Sequence, residues 1–233
     1  MAVRLIRTTF ASRFGNATRV FLSLALLWSA AAALPAENPD HAKHPEQTLS
    51  SFSLVDGGGK EIPLSTYKGK VVLVVNVASD SMFSGQIEAL NKLQDQYKDK
   101  GLAVIAVPSN DFGKGEPGSD VEIQKHYHDD LHATFLVTAK SAVSGKEALP
   151  VFGFLTGGSP DGKPGEEVHW SYTKFIVGRE GKVLARFAPD VAPDDPDFEI
   201  AVEKALDGKL KPQEPKKSDS KAAPGDDDDD GGR

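Results

Sequence analysis

The chain has 233 residues, a formal net charge of −7 and no cysteine. The length leaves room for one domain of ordinary size with extensions, and apolar and charged fractions of 39% and 26% are those of a soluble globular protein. The acidic balance, uninterrupted by any basic patch, argues against a nucleic-acid surface, and the missing thiols exclude disulfides and thiolate chemistry within this polypeptide.

Arg4, Arg7, Arg13 and Arg19 precede a Leu/Ala-rich run over residues 20–33 that ends in Ala31-Ala32-Ala33. A basic region, a short apolar core and an Ala-x-Ala site read as a secretory signal peptide over residues 1–36, and so as an exported protein. An uncleaved anchor is the competing reading. The run of about 14 residues falls short of the roughly 20 that span a bilayer, so no stable membrane association is expected after cleavage. Residues 37–50 are polar, carry Pro39 and Pro45, and read as a flexible lead-in to a domain over residues 51–208.

Residues 52–54 and 62–64 alternate apolar and polar around Asp56-Gly57-Gly58-Gly59, which predicts a small hairpin. Residues 71–77 form an unbroken Val/Leu run, the pattern of a strand buried on both faces of a mostly parallel sheet. Reactive groups in such sheets collect beyond the carboxyl ends of the strands, which points to the loop at residues 78–83. Ile87, Leu90, Leu93 and Tyr97 then fall on one helical stripe, and Gly101 stops it. Residues 102–107 predict a second buried strand ended by Pro108, so the unit is a right-handed crossover between parallel strands.

A glycine-punctuated loop over 109–118 leads to Ser119, which caps a helix running to about Asp129 with Glu122 in capping-box position. A short strand at 134–137 and a short helix at 148–155 follow, then a Gly/Pro/acidic surface loop over 157–167. Residues 170–177 and 182–187 flank Gly178-Arg179-Glu180-Gly181 as a hairpin of antiparallel strands, and 197–206 form the last amphipathic helix. Residues 209–233 shift to Lys, Pro, Ser and Asp and end in an aspartate run at 226–230, a solvated, disordered acidic tail. The run lacks the spaced ligands and glycine turn of an EF-hand loop. This order of elements is that of an α/β protein, a thioredoxin-like α/β sandwich with a central mixed sheet flanked by helices.

Three segments carry a resemblance. Tyr67-Lys68-Gly69-Lys70 with Asn76-Val77-Ala78-Ser79, then Val107-Pro108-Ser109-Asn110-Asp111-Phe112-Gly113 with Glu116-Pro117-Gly118, then Trp170-Ser171-Tyr172-Thr173-Lys174-Phe175 stand in the order and spacing of the glutathione peroxidase family. So do Arg179-Glu180-Gly181 and Arg186-Phe187-Ala188-Pro189, and the resemblance covers roughly residues 52–206. It implies thiol-dependent reduction of hydroperoxides, without a bound cofactor. In that family a cysteine or selenocysteine attacks the peroxide oxygen, surrounded by a glutamine, a tryptophan and an asparagine. The corresponding positions here are Ser81, Asp111, Trp170 and Ser171, three of them substituted. Leu136 stands where many relatives have proline, and Met82 where they have glycine.

A serine hydroxyl has no counterpart of the sulfenic acid that begins the cysteine oxidation ladder. Asp111 replaces an amide donor with an acceptor-only carboxylate, and Ser171 is shorter than asparagine and lacks its amide. The expectation is therefore a pseudo-peroxidase, its pocket around Ser81, Asp111 and Trp170 taking a hydroperoxide or other small ligand, or vestigial. Three alternatives stay open. One is an active peroxidase with a non-thiol reductant, such as a bound metal or Met82 cycling through its sulfoxide. Another is a metal site on His126, His128 and His132 with Asp129 or Asp130. The third is a hydrolase using Ser81, a histidine and Asp111. His128 and His132 are the pair expected to share a helix face, and Trp170 is expected as a pocket-wall or core aromatic.

Overall fold

A computed structural model of the chain describes residues 47–157 and 166–212. The expected signal peptide, most of the lead-in, nearly all of the tail and the greater part of the 157–167 loop lie outside the described residues. In chain order the elements are β1 (Ser53–Val55), β2 (Glu61–Pro63), β3 (Val71–Val77), α1 (Gln86–Tyr97), β4 (Leu102–Pro108), α2 (Asp120–Lys125), β5 (Leu136–Val137), α3 (Pro150–Leu155), β6 (Lys174–Val177), β7 (Val183–Phe187) and α4 (Pro196–Leu206). None of the described helices is long and apolar enough to cross a membrane.

β1 and β2 make the expected hairpin. Its turn is closed by Asp56, whose carboxylate accepts the N–H groups of Gly58 and Lys60 at 2.9 Å. The remaining strands form one sheet in the order β5-β4-β3-β6-β7. β3 is parallel to β4 and antiparallel to β6, so the sheet is mixed, and the fold is the thioredoxin-like α/β sandwich.

β3 takes the centre because nearly every side chain in it prefers the interior, and all seven of its residues are buried. Successive side chains point to opposite faces. Val71, Leu73, Val75 and Val77 meet Leu90 and Leu93 of α1 and Phe198 and Val202 of α4. Val72 and Val74 meet Val151, Phe152 and Leu155 of α3, together with Leu54 and Leu64 from the hairpin side. Each fully buried Val or Leu is worth about 1.5–3 kcal/mol relative to exposure, and this two-sided core holds the domain without covalent staples.

Local signals explain the helix boundaries. Gly101 follows the α1 segment with a φ of 96°, a left-handed stop. Ser119 and Glu122 form the reciprocal capping box at the start of α2. α2 then widens into one π-helical turn, His126–Asp130, in which Leu131 N–H reaches the His126 carbonyl at 3.0 Å.

Other boundaries differ from expectation. The strand expected from residue 170 begins at Lys174, because Tyr172 adopts a φ of 67° and cannot continue a pleat. β5 is confined to two residues, and α3 starts at Pro150, whose ring suits a first helical position. Leu49, assigned to the lead-in by composition, is buried in the core, and its N–H is held by the Gly181 carbonyl at 2.9 Å.

Candidate functional site

Three segments meet at the carboxyl end of β3. Ser109 N–H donates to the Val77 carbonyl at 2.9 Å, and Asp80 N–H to the Gly115 carbonyl at 2.9 Å. Asn76, the one polar residue in β3, anchors the turn before β6. Its carbonyl accepts Tyr172 N–H at 2.6 Å, its own N–H reaches Thr173 O at 3.3 Å, and its Nδ2 donates to Trp170 O at 3.1 Å. The loops that carry Ser81, Asp111 and Trp170-Ser171 are thus fastened to one end of the sheet, where α/β folds place their ligands.

Beneath the first two loops lies a buried carboxylate. Asn110 Oδ1 accepts the N–H of Glu116 at 3.0 Å and turns its side chain inward. Glu116 then accepts the Ser79 N–H at 3.0 Å, the Ser79 hydroxyl at 2.7 Å and the Tyr127 hydroxyl at 3.0 Å. Three donors on one carboxylate offset the cost of burying it. Burial pushes the Tyr127 phenol well above its usual range, and Tyr172 and the Glu116 charge push the same way, so Tyr127 stays a donor. The Tyr172 hydroxyl is buried nearby, without a hydrogen-bond partner among the described residues, and burial pushes its phenol up too.

The four family positions meet different fates. Ser81 is half-buried, and its Oγ accepts the Phe83 N–H at 3.2 Å, a local turn contact. Asp111 turns its carboxylate to the neighbouring loop, accepting Val143 N–H at 2.7 Å and Ser144 N–H at 3.1 Å. Ser171 is buried beside the Asn76 anchor. Trp170 is 50% exposed, so it is not a core aromatic, and Met82 is 82% exposed. Among the described residues no hydrogen bond joins these four positions to one another.

The histidines do not assemble. His126 Nδ1 faces Asp130 Oδ2 at 3.4 Å, and His128 Nδ1 faces the Ala133 carbonyl at 2.9 Å. His132 lies beyond the π-helical turn with a φ of 55°, so it does not share a helix face with His128. Among the described residues no group of three His, Asp or Glu could hold a metal ion. Neither His169, which is exposed, nor any other described histidine hydrogen-bonds Ser81, so the hydrolase arrangement is not formed.

Sequence reasoning passed over Lys174. Its side chain is completely buried at the start of β6, with Nζ donating to the carbonyls of Tyr172 at 2.8 Å, Pro189 at 3.3 Å and Ala188 at 3.4 Å. Burial lowers its pKa to about 8, against a smaller upward pull from Asp190. Gln86, at the start of α1, donates its Nε2 to the same Pro189 carbonyl at 2.8 Å. Lysine at the head of the Phe175-Ile176-Val177 run was the available signal, since a cation in a buried strand demands partners.

The model of a family described as glutathione peroxidase matches residues 49–156. The glutathione peroxidase of Lactococcus lactis subsp. cremoris (strain MG1363) is 40% identical over 149 residues, spanning 64% of this chain and 94% of that protein. The glutathione peroxidase homolog BsaA of Staphylococcus aureus (strain MW2) is 38% identical over 154 residues, 66% of this chain and 97% of that protein. Among solved structures, that of Trgpx in apo form superposes with a TM-score of 0.56 at 31% identity, covering 70% of this chain and 97% of that one.

Proposed function

Because this chain belongs to the glutathione peroxidase family, we propose that it is an exported member in which the scaffold persists and the family's thiol chemistry has been lost. The observation that carries this reading is Ser81 at the nucleophile position in a chain without cysteine. Peroxide reduction by the family moves an electron pair from thiolate sulfur to oxygen. A serine hydroxyl is not a two-electron reductant of peroxides, since its oxygen has no oxidised state equivalent to the sulfenic acid. The placement of Asp111 supports the same reading, since its carboxylate serves Val143 and Ser144 in place of a reacting oxygen. The positions around Ser81, Asp111 and Trp170 would take a hydroperoxide or another small ligand. The basic and apolar leader over residues 1–36 supports export.

Peroxide turnover by the purified, metal-stripped protein tests the reading, with glutathione and thioredoxin offered separately as reductants. The expected result is background turnover by the protein itself and weak activity in Ser81→Cys. Turnover above background without any substitution overturns the proposal.

One observation favours a second reading. Met82 is one of two methionines in the chain, adjoins Ser81 and is 82% exposed. A hydroperoxide could transfer its terminal oxygen to this thioether, leaving an alcohol and a sulfoxide that an external reductant restores. Mass spectrometry after a single peroxide pulse separates the two: one added oxygen at Met82, lost in Met82→Leu, accompanies turnover only in the second.

A further inference from the structure

The Pro189 carbonyl joins the two sides of the Ser81 site. Lys174 Nζ reaches it from the start of β6 at 3.3 Å, and Gln86 Nε2, from the first residue of α1, donates to the same oxygen at 2.8 Å. Ser81 lies in the loop that leads into α1, and Trp170 and Ser171 lie in the turn that leads into β6. One backbone oxygen therefore ties the support of the first to the support of the second.

The turn before β6 is held from two directions. Asn76 accepts the Tyr172 N–H at 2.6 Å and donates to Trp170 O at 3.1 Å, and an amide does not titrate. From the other side Lys174 Nζ donates to the Tyr172 carbonyl at 2.8 Å and the Ala188 carbonyl at 3.4 Å. Between these anchors Tyr172 keeps a φ of 67°, a strain of about 1–3 kcal/mol that the contacts must offset. An ammonium has one proton for each of the three carbonyls. A neutral amine has one fewer and lacks the charge that strengthens such bonds, so its carbonyls are held less well.

The surroundings favour loss of that proton. Lys174 is fully buried, and its neighbours across the sheet are Val75 of β3 and Phe187 of β7, with Phe198 of α4 packed on Phe187. Gln86 faces it from α1, and Asp190, exposed in the loop after β7, is the charged group that acts on it. Among the described residues no carboxylate is hydrogen-bonded to it. Burial of a lysine on carbonyls alone disfavours its charged form.

We propose that Lys174, Gln86 and the Pro189 carbonyl form a pH-sensitive joint that sets the position of Trp170 relative to the start of α1. With Lys174 protonated, the turn is clamped. When the proton leaves, the clamp loosens, Tyr172 relaxes and Trp170 moves further into solvent. The joint rests on the fold alone, so it holds whether or not peroxide is turned over.

Trp28→Phe leaves Trp170 as the one indole of the full-length chain. Its emission and its quenching by acrylamide, followed from about pH 6.5 to about pH 9.5, test the joint. The four tyrosines are all pushed above their ordinary value and stay protonated in this window. One step with a midpoint near 8 is expected, quenching rising across it, and the amides of Gln86 and Ile87 are expected to shift with the same midpoint. Lys174→Met is expected to lose the step and to leave Trp170 in its exposed state throughout, a cooperative melt verifying that the variant is folded. Asp190→Asn, an exposed change that leaves the core intact, is expected to lower the midpoint by about 0.2–0.7 pH unit. In Gln86→Leu the Trp170 step is expected to remain while the amide of Ile87 stops following it. A flat profile, a step that survives Lys174→Met, a midpoint untouched by Asp190→Asn, or α1 amides that ignore Trp170 in the parent overturns the proposal.

Discussion

The Lys174 ammonium lies 2.8 Å from the carbonyl oxygen of Tyr172, and among the described residues no carboxylate is hydrogen-bonded to it. That contact fastens a backbone in which Tyr172 holds a φ of 67°, a costly conformation for a bulky residue. The strained turn carries Trp170 and Ser171, so a buried cation supports the geometry of the candidate site from below.

This cation gives the protein a distinct alkaline response. The folded pKa of Lys174 is about 8, below its ordinary 10.5. Above the folded value the native chain releases the proton while the unfolded chain keeps it, so stability rises with pH until the unfolded lysine also titrates. The gain reaches roughly 3 kcal/mol over that window and is absent below it. Urea unfolding from about pH 7 to about pH 10 is expected to show this rise in the parent and not in Lys174→Met. At neutral pH the variant sheds the cost of the buried charge but leaves carbonyls unpaired at about 1–3 kcal/mol, so its stability there is expected to stay close to the parent's.

Glu116 is the second buried anchor. Glu116→Ala strands the Ser79 N–H and the Tyr127 hydroxyl, and is expected to cost about 2–4 kcal/mol. Glu116→Gln keeps one acceptor oxygen and is expected to cost about half as much. Denaturant midpoints measure both, and faster hydrogen exchange at Ser79 locates the damage.

Asp111 is expected to act on stability in the parent and on activity once a cysteine stands at position 81. Asp111→Ala is expected to cost about 1–2 kcal/mol and to speed amide exchange at Val143 and Ser144, whose N–H groups lose their acceptor. In the Ser81→Cys background, Asp111→Gln replaces an acceptor with a donor. Peroxide turnover is expected to rise at least about tenfold over Ser81→Cys alone.

Gly101 tests the packing of Arg179. A Cβ there would approach Arg179 Nη1 to 2.9 Å, at a φ of 96° that side chains resist. Gly101→Ala is expected to cost about 1–2 kcal/mol in thermal or urea unfolding.

The scaffold was legible because its signals are local. The Val/Leu run of β3, the Ile87-Leu90-Leu93-Tyr97 stripe, the Gly101 stop and the Ser119-Glu122 box each declare one element within a few residues. The site was legible only as positions. That Asp111 would spend its carboxylate on residues 143 and 144 depends on a contact 32 residues away, which no periodicity records. The strand onset at 174 was missed because the residues before it are hydrophobic enough to read as strand, while the Asn76 and Lys174 contacts that bend them are tertiary. Glu116 and Lys174 look like surface charges by type, and only their partners reveal them as interior.

The pairing of β3 bears on how the chain reaches its fold. One edge of this all-buried strand meets β4 close by in sequence, but the other waits for β6, with Val75 opposite Lys174. A growing chain that has not yet reached residue 174 presents a bare Val-rich edge that can pair with any other extended segment. No disulfide can hold early contacts in place meanwhile. Late closure of a long loop makes folding slow, so the interval before the β6–β7 hairpin arrives is when the bare edge of β3 is most exposed to aggregation.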